Sequence, residues 1–350
     1  MSYKEFLVQL SEASGVSGYE GEVSDVIKKA FKEIGHEVTS DNLGNLICFK
    51  KGKNPKGRKI MLAAHMDEVG LMVKDIDANG FIKFTTIGGV DQRTLLCQEV
   101  IVHGKEKVYG IIGVKPPHLT TPEERSKPLE IDNLLIDTGY DFEEINKLVE
   151  IGDVVTIKRQ VYNLQNNHIA GKALDDRVGV AILYYSLQEL NKLQHDVDVY
   201  FVATVQEEVG TRGATTSAFK IQPDIGIAID VGFGKTPELN QFDTIEMGKG
   251  PAFTVGPNIH PGVFNHLKTT AKDHYIPYQV EVAANHSGTD AWPMQVSCSG
   301  VATGVISIPL RYMHTSVETV NLSDVEKSGK VLAHFIASLN DENMEELLCY

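Results

Sequence analysis

The stretch Val197-Asp198-Val199-Tyr200-Phe201-Val202-Ala203-Thr204-Val205-Gln206-Glu207-Glu208 is the most informative segment of the chain. Its apolar run predicts a buried strand that ends just before two consecutive glutamates. Two carboxylates at the end of a buried strand are costly unless they are paired or bound to a metal. A solvated turn is the alternative, although Val209 and the glycines that follow weaken it. Because adjacent side chains diverge, one glutamate can bind a metal while the other faces a substrate.

Three further apolar runs have the same character, and helical spacing separates them. Apolar residues from Val178 to Leu190 and from Val325 to Leu339 lie on one face of each predicted helix. Alternating strands and helices predict an α/β fold with a mixed, largely parallel central sheet flanked by helices. The three additional predicted strands are Ile60–Ala64, Ile225–Val231 and Val301–Ile308.

Residues 71–165 interrupt this alternation. They are rich in Gly, Thr, Val and Ile and contain turn signals such as Ala78-Asn79-Gly80 and Gly88-Gly89. An acidic helical piece follows near Asp141–Glu150. We therefore expect a small β-rich domain inserted into a catalytic domain formed by residues 1–70 and 166–350.

Composition excludes several classes of protein. The formal net charge of −14 argues against nucleic acid as the main partner, because phosphate contacts need clustered basic residues. The first thirty residues have the pattern of an amphipathic helix rather than a signal peptide, and no apolar run is long enough to span a membrane. The four cysteines are scattered, which favours a reducing cytoplasm.

Four more polar groups follow predicted strands or open a predicted helix. His65 and Asp67 follow the strand Ile60–Ala64, and a carboxylate beside a metal-binding histidine typically holds its second ring N–H. The adjacent carboxylates of Asp175 and Asp176 open a helix, where capping is an alternative role for one of them. The other two groups are Asp230, at the end of Ile225–Val231, and His314, after Val301–Ile308.

Taken together, these positions supply two histidines and at least three carboxylates at one edge of the sheet. This mixture of ligands suits Zn²⁺, Co²⁺ or Mn²⁺. A bridging carboxylate, with one histidine and one further carboxylate for each ion, predicts a dinuclear site. A water between two such ions is acidified, and a nearby glutamate can take its proton.

The same motifs resemble those of the peptidase family 42 metallo-aminopeptidases, the TET-type and glutamyl-aminopeptidase-like group of the zinc-exopeptidase clan. The resemblance covers essentially the whole chain. The matching segments are A-H-M-D-E-V-G at 64–70, A-L-D-D-R-V-G at 173–179, Q-E-E-V-G-T-R-G-A at 206–214, Asp230 and H-T-S-V-E at 314–318.

The resemblance implies roles for individual residues. Asp175 would bridge the two metals, and the peptide bond after it would be cis. The other implied ligands fall into pairs, which are His65 with Asp230 and Glu208 with His314. Glu207 would be the general base and Asp67 would orient His65. The resemblance also implies a zinc-exopeptidase fold with a PDZ-like or β-barrel-like inserted domain.

Removal of amino-terminal residues from peptides, through a metal-bridged hydroxide, is the activity that the resemblance implies. The chain would form a homo-oligomer built from dimers, with a tetrahedral dodecamer as one form. The alternatives are another metal hydrolase of the clan, namely a deacylase or carboxypeptidase, and an endoglucanase. A scaffold without activity is a third hypothesis, which the complete set of ligands disfavours.

The substrate side departs from the family pattern. Ser287 replaces a glycine, and Trp292-Pro293 replaces two small residues. A preference for acidic residues would require a basic group in the pocket, and the candidates are Arg212, Lys235, Lys249 and Arg311.

Overall fold

The computed structural model describes residues 1–54, 57–122, 129–285 and 287–349. Its main element is an eleven-stranded mixed sheet, whose path runs β1-β2-β12-β3-β13-β16-β17-β11-β10, with β14 and β15 attached to β16. The strands are β1 (Val38–Ser40), β2 (Leu46–Lys50), β3 (Lys59–His65), β10 (Tyr162–Asn163), β11 (His168–Gly171), β12 (Asp198–Thr204), β13 (Ile225–Phe233), β14 (Ala252–Val255), β15 (Gln279–Val282), β16 (Ala302–Arg311) and β17 (Glu318–Asn321).

The central strands β12, β3, β13 and β16 are parallel, whereas the outer neighbours along the path are antiparallel. This mixed sheet with a parallel centre confirms the predicted fold class. Each predicted apolar run is a central strand. The strand β3 begins one residue before its predicted run, and β13 and β16 continue two and three residues beyond theirs. The parallel register places Thr204 beside His65 and Ser307 beside Asp230, so these side chains meet at the carboxyl edge.

Helices cover both faces of the sheet and bury a large apolar core. The long helices α4 and α8 pack against each other, and α4 also contacts β3 and β13. Within the described residues the helices are α1 (Tyr3–Glu12), α2 (Gly21–Glu33), α3 (Phe142–Leu148), α4 (Leu174–Leu190), α5 (Arg212–Ile221), α6 (Pro261–Asp273), α7 (Ala291–Gln295), α8 (Leu322–Ser338) and α9 (Asp341–Leu348). None of these is long and apolar enough to cross a membrane.

The amino-terminal segment, for which the sequence predicted amphipathic helix, contains the two helices α1 and α2. The helical spacing that begins at Val23 belongs to α2. The backbone between α1 and α2 pairs with Glu68, whose N–H donates to Gly15 O at 2.9 Å and whose O accepts from Ser17 N–H at 3.2 Å. This pairing ties the amino terminus to the segment that carries His65 and Asp67.

Six antiparallel strands form a separate closed barrel in the order β4-β5-β8-β7-β6-β9. The barrel has its own apolar core. Its first and last strands pair with each other through Leu71 and Val155, so the chain leaves and re-enters the main sheet region at one place. The exact limits of the inserted domain, 71 and 165, stay a prediction. The barrel strands are β4 (Gly70–Ile76), β5 (Ile82–Ile87), β6 (Glu99–His103), β7 (Lys107–Gly113), β8 (Leu135–Asp137) and β9 (Val154–Ile157).

Candidate metal centre

Five side chains meet at the carboxyl edge of the central strands. His65 and Asp230 lie at or near the ends of β3 and β13, while Asp175 opens α4. Glu208 and His314 follow β12 and β16. Their ligand atoms form two groups, each within 4.8 Å, and both groups contain Asp175. The groups, here called the inner and outer groups, are His65–Asp175–Asp230 and Asp175–Glu208–His314 respectively.

The two oxygens of Asp175 face different histidines. Oδ1 lies 3.2 Å from His65 Nε2, and Oδ2 lies 3.3 Å from His314 Nε2. His314 Nε2 is also 3.3 Å from Glu208 Oε1. One carboxylate is therefore shared between two sets of ligand atoms, with one oxygen near each histidine.

The two adjacent aspartates have different surroundings. Asp176 is fully buried and its Oδ1 accepts a hydrogen bond from Gly179 N–H at 3.1 Å, which is the capping role that the sequence left open for one of the pair. Only Asp175 reaches the two ligand groups. The peptide bond between the two residues is cis, as the resemblance implied.

The ionisation of these groups reflects a concentration of buried negative charge. Burial raises the pKa of Asp230 well above its ordinary value, and the charge of Asp175 raises it further. Burial acts in the same direction on Asp175, but hydrogen bonds from His314 and His65 outweigh it and lower that pKa. Hydrogen bonds to Asp175 and Glu208 raise the pKa of His314 to about 11.

The ligand set fits divalent cations. In the described part of the chain, neither Lys nor Arg forms an ion pair with the three carboxylates of Asp175, Glu208 and Asp230. Buried carboxylates of this kind are stable when they are paired or coordinate a metal. Imidazole nitrogens with carboxylate oxygens are suitable ligands for Zn²⁺, Co²⁺ and Mn²⁺.

Asp67 connects the segments that carry ligands. Its carboxylate accepts hydrogen bonds from Ser17 Oγ at 2.7 Å and from the backbone N–H groups of Glu207 and Glu208 at 3.0 and 3.2 Å. His65 Nδ1 lies 3.1 Å from the backbone O of Asp67 and 3.5 Å from its carboxylate. Asp67 thus joins the end of β3 to the glutamate pair that follows β12.

Glu207 lies outside both ligand groups but lines the same cavity as their members. Burial raises the pKa of Glu207 to about 9; the charge of His65 acts in the opposite direction, and the charges of Asp230 and Asp290 add to the increase. Gln206, immediately before it, has a φ of 55°, in the left-handed region that few residues other than glycine adopt. After this turn, the backbone that carries Glu207 and Glu208 no longer follows the direction of β12.

Sequence reasoning did not assign a role to two buried acids at the site. Glu318 is 2% exposed, and its carboxylate accepts from the backbone N–H groups of Asp175 at 3.1 Å and His314 at 2.8 Å. Asp290, also 2% exposed, accepts from Thr204 Oγ1 at 2.6 Å. The signal for Glu318 was its place at the end of the H-T-S-V-E motif, four residues after His314. Asp290 lay in the segment noted for its departure from the family pattern.

The inserted barrel also touches the centre. Gly89, in the loop after β5, accepts a hydrogen bond through its backbone O from His314 Nδ1 at 2.9 Å. A methyl group at Gly89 would lie 3.1 Å from the same ring nitrogen. The position of His314 therefore depends on a loop of the barrel.

Comparison with known proteins identifies the family of the chain. Residues 44–331 match the model of a family described as M42 glutamyl aminopeptidase. The chain belongs to this family. A curated relative, the lysyl aminopeptidase of Pyrococcus furiosus, is 38% identical over 340 residues, which cover 96% of this chain and 97% of the relative.

Solved structures are similar over the full length. An aminopeptidase from Desulfurococcus kamchatkensis has a TM-score of 0.91 and 38% identity, covering 99% of this chain and 97% of its own. The Pyrococcus horikoshii TET1 peptidase, described as assembling into a tetrahedron or a large octahedral shell, has a TM-score of 0.86 and 31% identity. That match covers 97% of this chain and 100% of the other. This M42 chain is accordingly a metal-dependent enzyme of the aminopeptidase class.

Proposed function

We propose that this M42 enzyme is a dinuclear-metal aminopeptidase in which Asp175 bridges two divalent cations. The division of the two Asp175 oxygens between His65 and His314 is the observation that carries the proposal. His65 and Asp230 would complete one site, and Glu208 and His314 the other. Zinc or cobalt suits these ligands, with manganese as the alternative.

Two such cations would polarise the scissile carbonyl and acidify a water molecule beside it. Glu207 accepts a proton from this water as the oxygen attacks the carbonyl carbon. It then gives the proton to the nitrogen of the leaving amine as the carbon–nitrogen bond breaks. Its place in the cavity, next to a ligand but outside both ligand groups, supports this assignment.

Peptides with a free amino terminus are the proposed substrates. The carboxylates that line the cavity attract a cationic amino group through a complementary potential. A deacylase would instead act on a blocked amino group, and a carboxypeptidase at the opposite end. Hydrolysis of an aminoacyl peptide but not of its N-acetylated form would support an aminopeptidase, whereas the reverse preference would indicate a deacylase.

The role of Glu207 can be tested by Glu207→Gln, which preserves shape and removes the base. We expect kcat to fall by about a hundredfold to ten-thousandfold. Metal content measured by mass spectrometry should remain at two ions for each chain. The matched control is Glu246→Gln, which removes one exposed negative charge that pairs with Lys235. A Glu207→Gln enzyme with normal turnover and both metals would show that another group is the base.

Metal dependence separates this proposal from the endoglucanase alternative, because glycosidases usually use two carboxyl groups without a metal pair. A chelator should abolish aminoacyl hydrolysis, and Co²⁺ or Zn²⁺ should restore it. Reducing-sugar release that survives chelation would support the glucanase.

We also propose that the chain forms a homo-oligomer through the inserted domain at 71–165, with a tetrahedral dodecamer as the candidate assembly. The similarity to the TET1 peptidase supports this arrangement. Light scattering should then give a mass that is a multiple of two chains, and a monomer at every concentration would contradict it. A cytoplasmic location is supported by four cysteines that are all free.

A further inference from the structure

The cavity at the candidate metal centre extends along β13 to an acidic side chain, Glu281 on β15. Glu281 Oε2 accepts hydrogen bonds from Ser307 Oγ at 2.5 Å and Thr254 Oγ1 at 3.0 Å. Both hydroxyl-bearing residues are 2% exposed. All three side chains line the same cavity as His65, Asp175 and Glu207. The carboxylate is therefore held in a fixed orientation within the proposed substrate cavity.

Strand register places this carboxylate near the ligands. Ser307 is paired with Asp230 on the neighbouring strand, and Glu281 is paired with Thr254. Ser307 lies on β16, which is the neighbour of β13, the strand that carries Asp230. Because the Glu281 side chain reaches Ser307, its carboxylate comes to about one strand spacing, roughly 4.8 Å, from β13.

Gly232 locates the other oxygen. A Cβ built on Gly232 would lie 3.0 Å from Glu281 Oε1. Gly232 is two residues after Asp230 on the same strand face, which corresponds to about 6.6 Å along β13. The distance from the Glu281 carboxylate to the inner ligand group is thus comparable to the length of one long side chain.

The second oxygen of Glu281 has no protein partner in the described ranges. Its hydrogen bonds to Ser307 and Thr254 both use Oε2, and no Lys, Arg or His of those ranges forms an ion pair with it. A cationic group would find an available acceptor at Oε1. A carboxylate group would meet the like charge of Glu281, which costs free energy.

The basic residues that could have favoured acidic substrates do not line this cavity. Arg212 Nη1 donates to Gln206 Oε1, Lys235 pairs with Glu246, and Arg311 Nε donates to the backbone O of Lys235. Lys249 is also absent from the cavity wall. Apolar residues also line this cavity, namely Val231, Phe233, Val282, Val305 and Met313.

We infer that Glu281 selects substrates with a basic, lysine-like amino-terminal residue. The four-carbon stem of lysine packs against the apolar wall while its ammonium donates to Glu281. This specificity rests on the proposed aminopeptidase function, and it differs from the acidic preference in the family description. Glu281 is a specificity-determining residue at the end of the substrate side chain, remote from the bond that breaks.

The test compares three aminoacyl p-nitroanilides, those of lysine, norleucine and glutamate. Norleucine has the stem of lysine without its ammonium, so the lysine-to-norleucine ratio of kcat/KM isolates the charge. We expect this ratio to exceed about tenfold in the wild type. Glu281→Gln, which can still accept from Ser307 and Thr254, should lower the ratio by at least about tenfold. The control Glu246→Gln should keep the wild-type ratio.

A binding experiment covers the outcome in which Glu281→Gln is poorly active. Free lysine and free norleucine serve as competitive inhibitors of the wild-type enzyme with the norleucine substrate. We expect Ki for lysine to be at least about tenfold below Ki for norleucine, and the difference to shrink as ionic strength rises. Equal inhibition constants at low salt would overturn the inference.

The outcomes separate this inference from the proposed function. Hydrolysis of norleucine or glutamate substrates at or above the rate for lysine, with a ratio that Glu281→Gln leaves unchanged, would contradict the specificity and leave the aminopeptidase standing. If the folded, metal-loaded enzyme hydrolysed none of the aminoacyl substrates, the proposed function would instead be contradicted.

Discussion

The inner and outer ligand groups share Asp175 but are built in different ways. His65 and Asp230 come from adjacent parallel strands, and they are 2% and 6% exposed. Glu208 and His314 lie in loops beyond β12 and β16, and the side chain of His314 is 30% exposed. The register of the sheet positions the inner group, whereas loop conformation and a contact with the barrel position the outer group.

This difference predicts unequal sites. A buried group on rigid strands is more preorganised than one on loops, so its cation should bind more tightly and exchange more slowly. His314 itself has a φ of 59° and depends on Gly89 for the orientation of its ring. We therefore expect stepwise loading, first of the inner group and then of the outer group.

Loss of the Asp175 carboxylate should have the largest effect on activity and metal binding, because both ligand groups use it. Asp175→Asn keeps the shape but loses the charge that both sites use. We expect kcat/KM to fall by at least about a thousandfold, equivalent to roughly 4 kcal/mol of transition-state stabilisation. Metal content, measured by mass spectrometry after desalting, should fall below one ion for each chain. Retention of two tightly bound ions would show that Asp175 is not the bridge.

Removal of one histidine from each group should separate them. His65→Ala removes a buried imidazole whose Nε2 lies 3.2 Å from Asp175 Oδ1, so we expect the metal-free protein to lose about 1–3 kcal/mol of unfolding free energy. His314→Ala should cost less, because that side chain is partly exposed. After desalting, His314→Ala should retain one ion and His65→Ala less than one. Denaturant unfolding and metal analysis measure these effects, and equal results for the two variants would contradict the unequal sites.

The smallest predicted effect concerns the barrel. Gly89→Ala places a methyl group 3.1 Å from His314 Nδ1 and should displace the ring by a few tenths of an ångström. Because contacts that orient a ligand typically contribute tenfold to a hundredfold in metal affinity, we expect up to about a tenfold loss at the weaker site only. Gly113→Ala is the matched control, since its nearest atom would be 4.0 Å away. A change in metal affinity at the inner group, or in the Gly113→Ala control, would contradict the proposed dependence of the outer group on the barrel.

The sequence predicted the parts of the molecule that local patterns encode. Apolar runs identified β3, β12, β13 and β16, and the acids and histidines after them marked the edge where ligands meet. The family resemblance was needed to choose between Asp175 and Asp176, because both open the same helix. Only the structure shows that Asp176 caps this helix at Gly179 N–H.

Features that depend on distant pairing were beyond local patterns. The barrel closes through β4 and β9, which are far apart in the chain. Glu318 and Asp290 are buried by tertiary packing, whereas their polarity alone suggested that both are exposed to solvent. Glu281 lies on a strand whose residues are all intermediate or exposed, and its place in the cavity arises from its contact with Ser307 across the sheet.

The most direct test of the shared carboxylate is anomalous diffraction from crystals of the cobalt- or zinc-loaded enzyme, recorded on both sides of the metal absorption edge. We predict two peaks about 3.5–4 Å apart on either side of the Asp175 carboxylate. One peak should contact His65 and Asp230, and the other Glu208 and His314. A single peak at full metal loading, or two peaks of which only one contacts Asp175, would contradict the dinuclear centre.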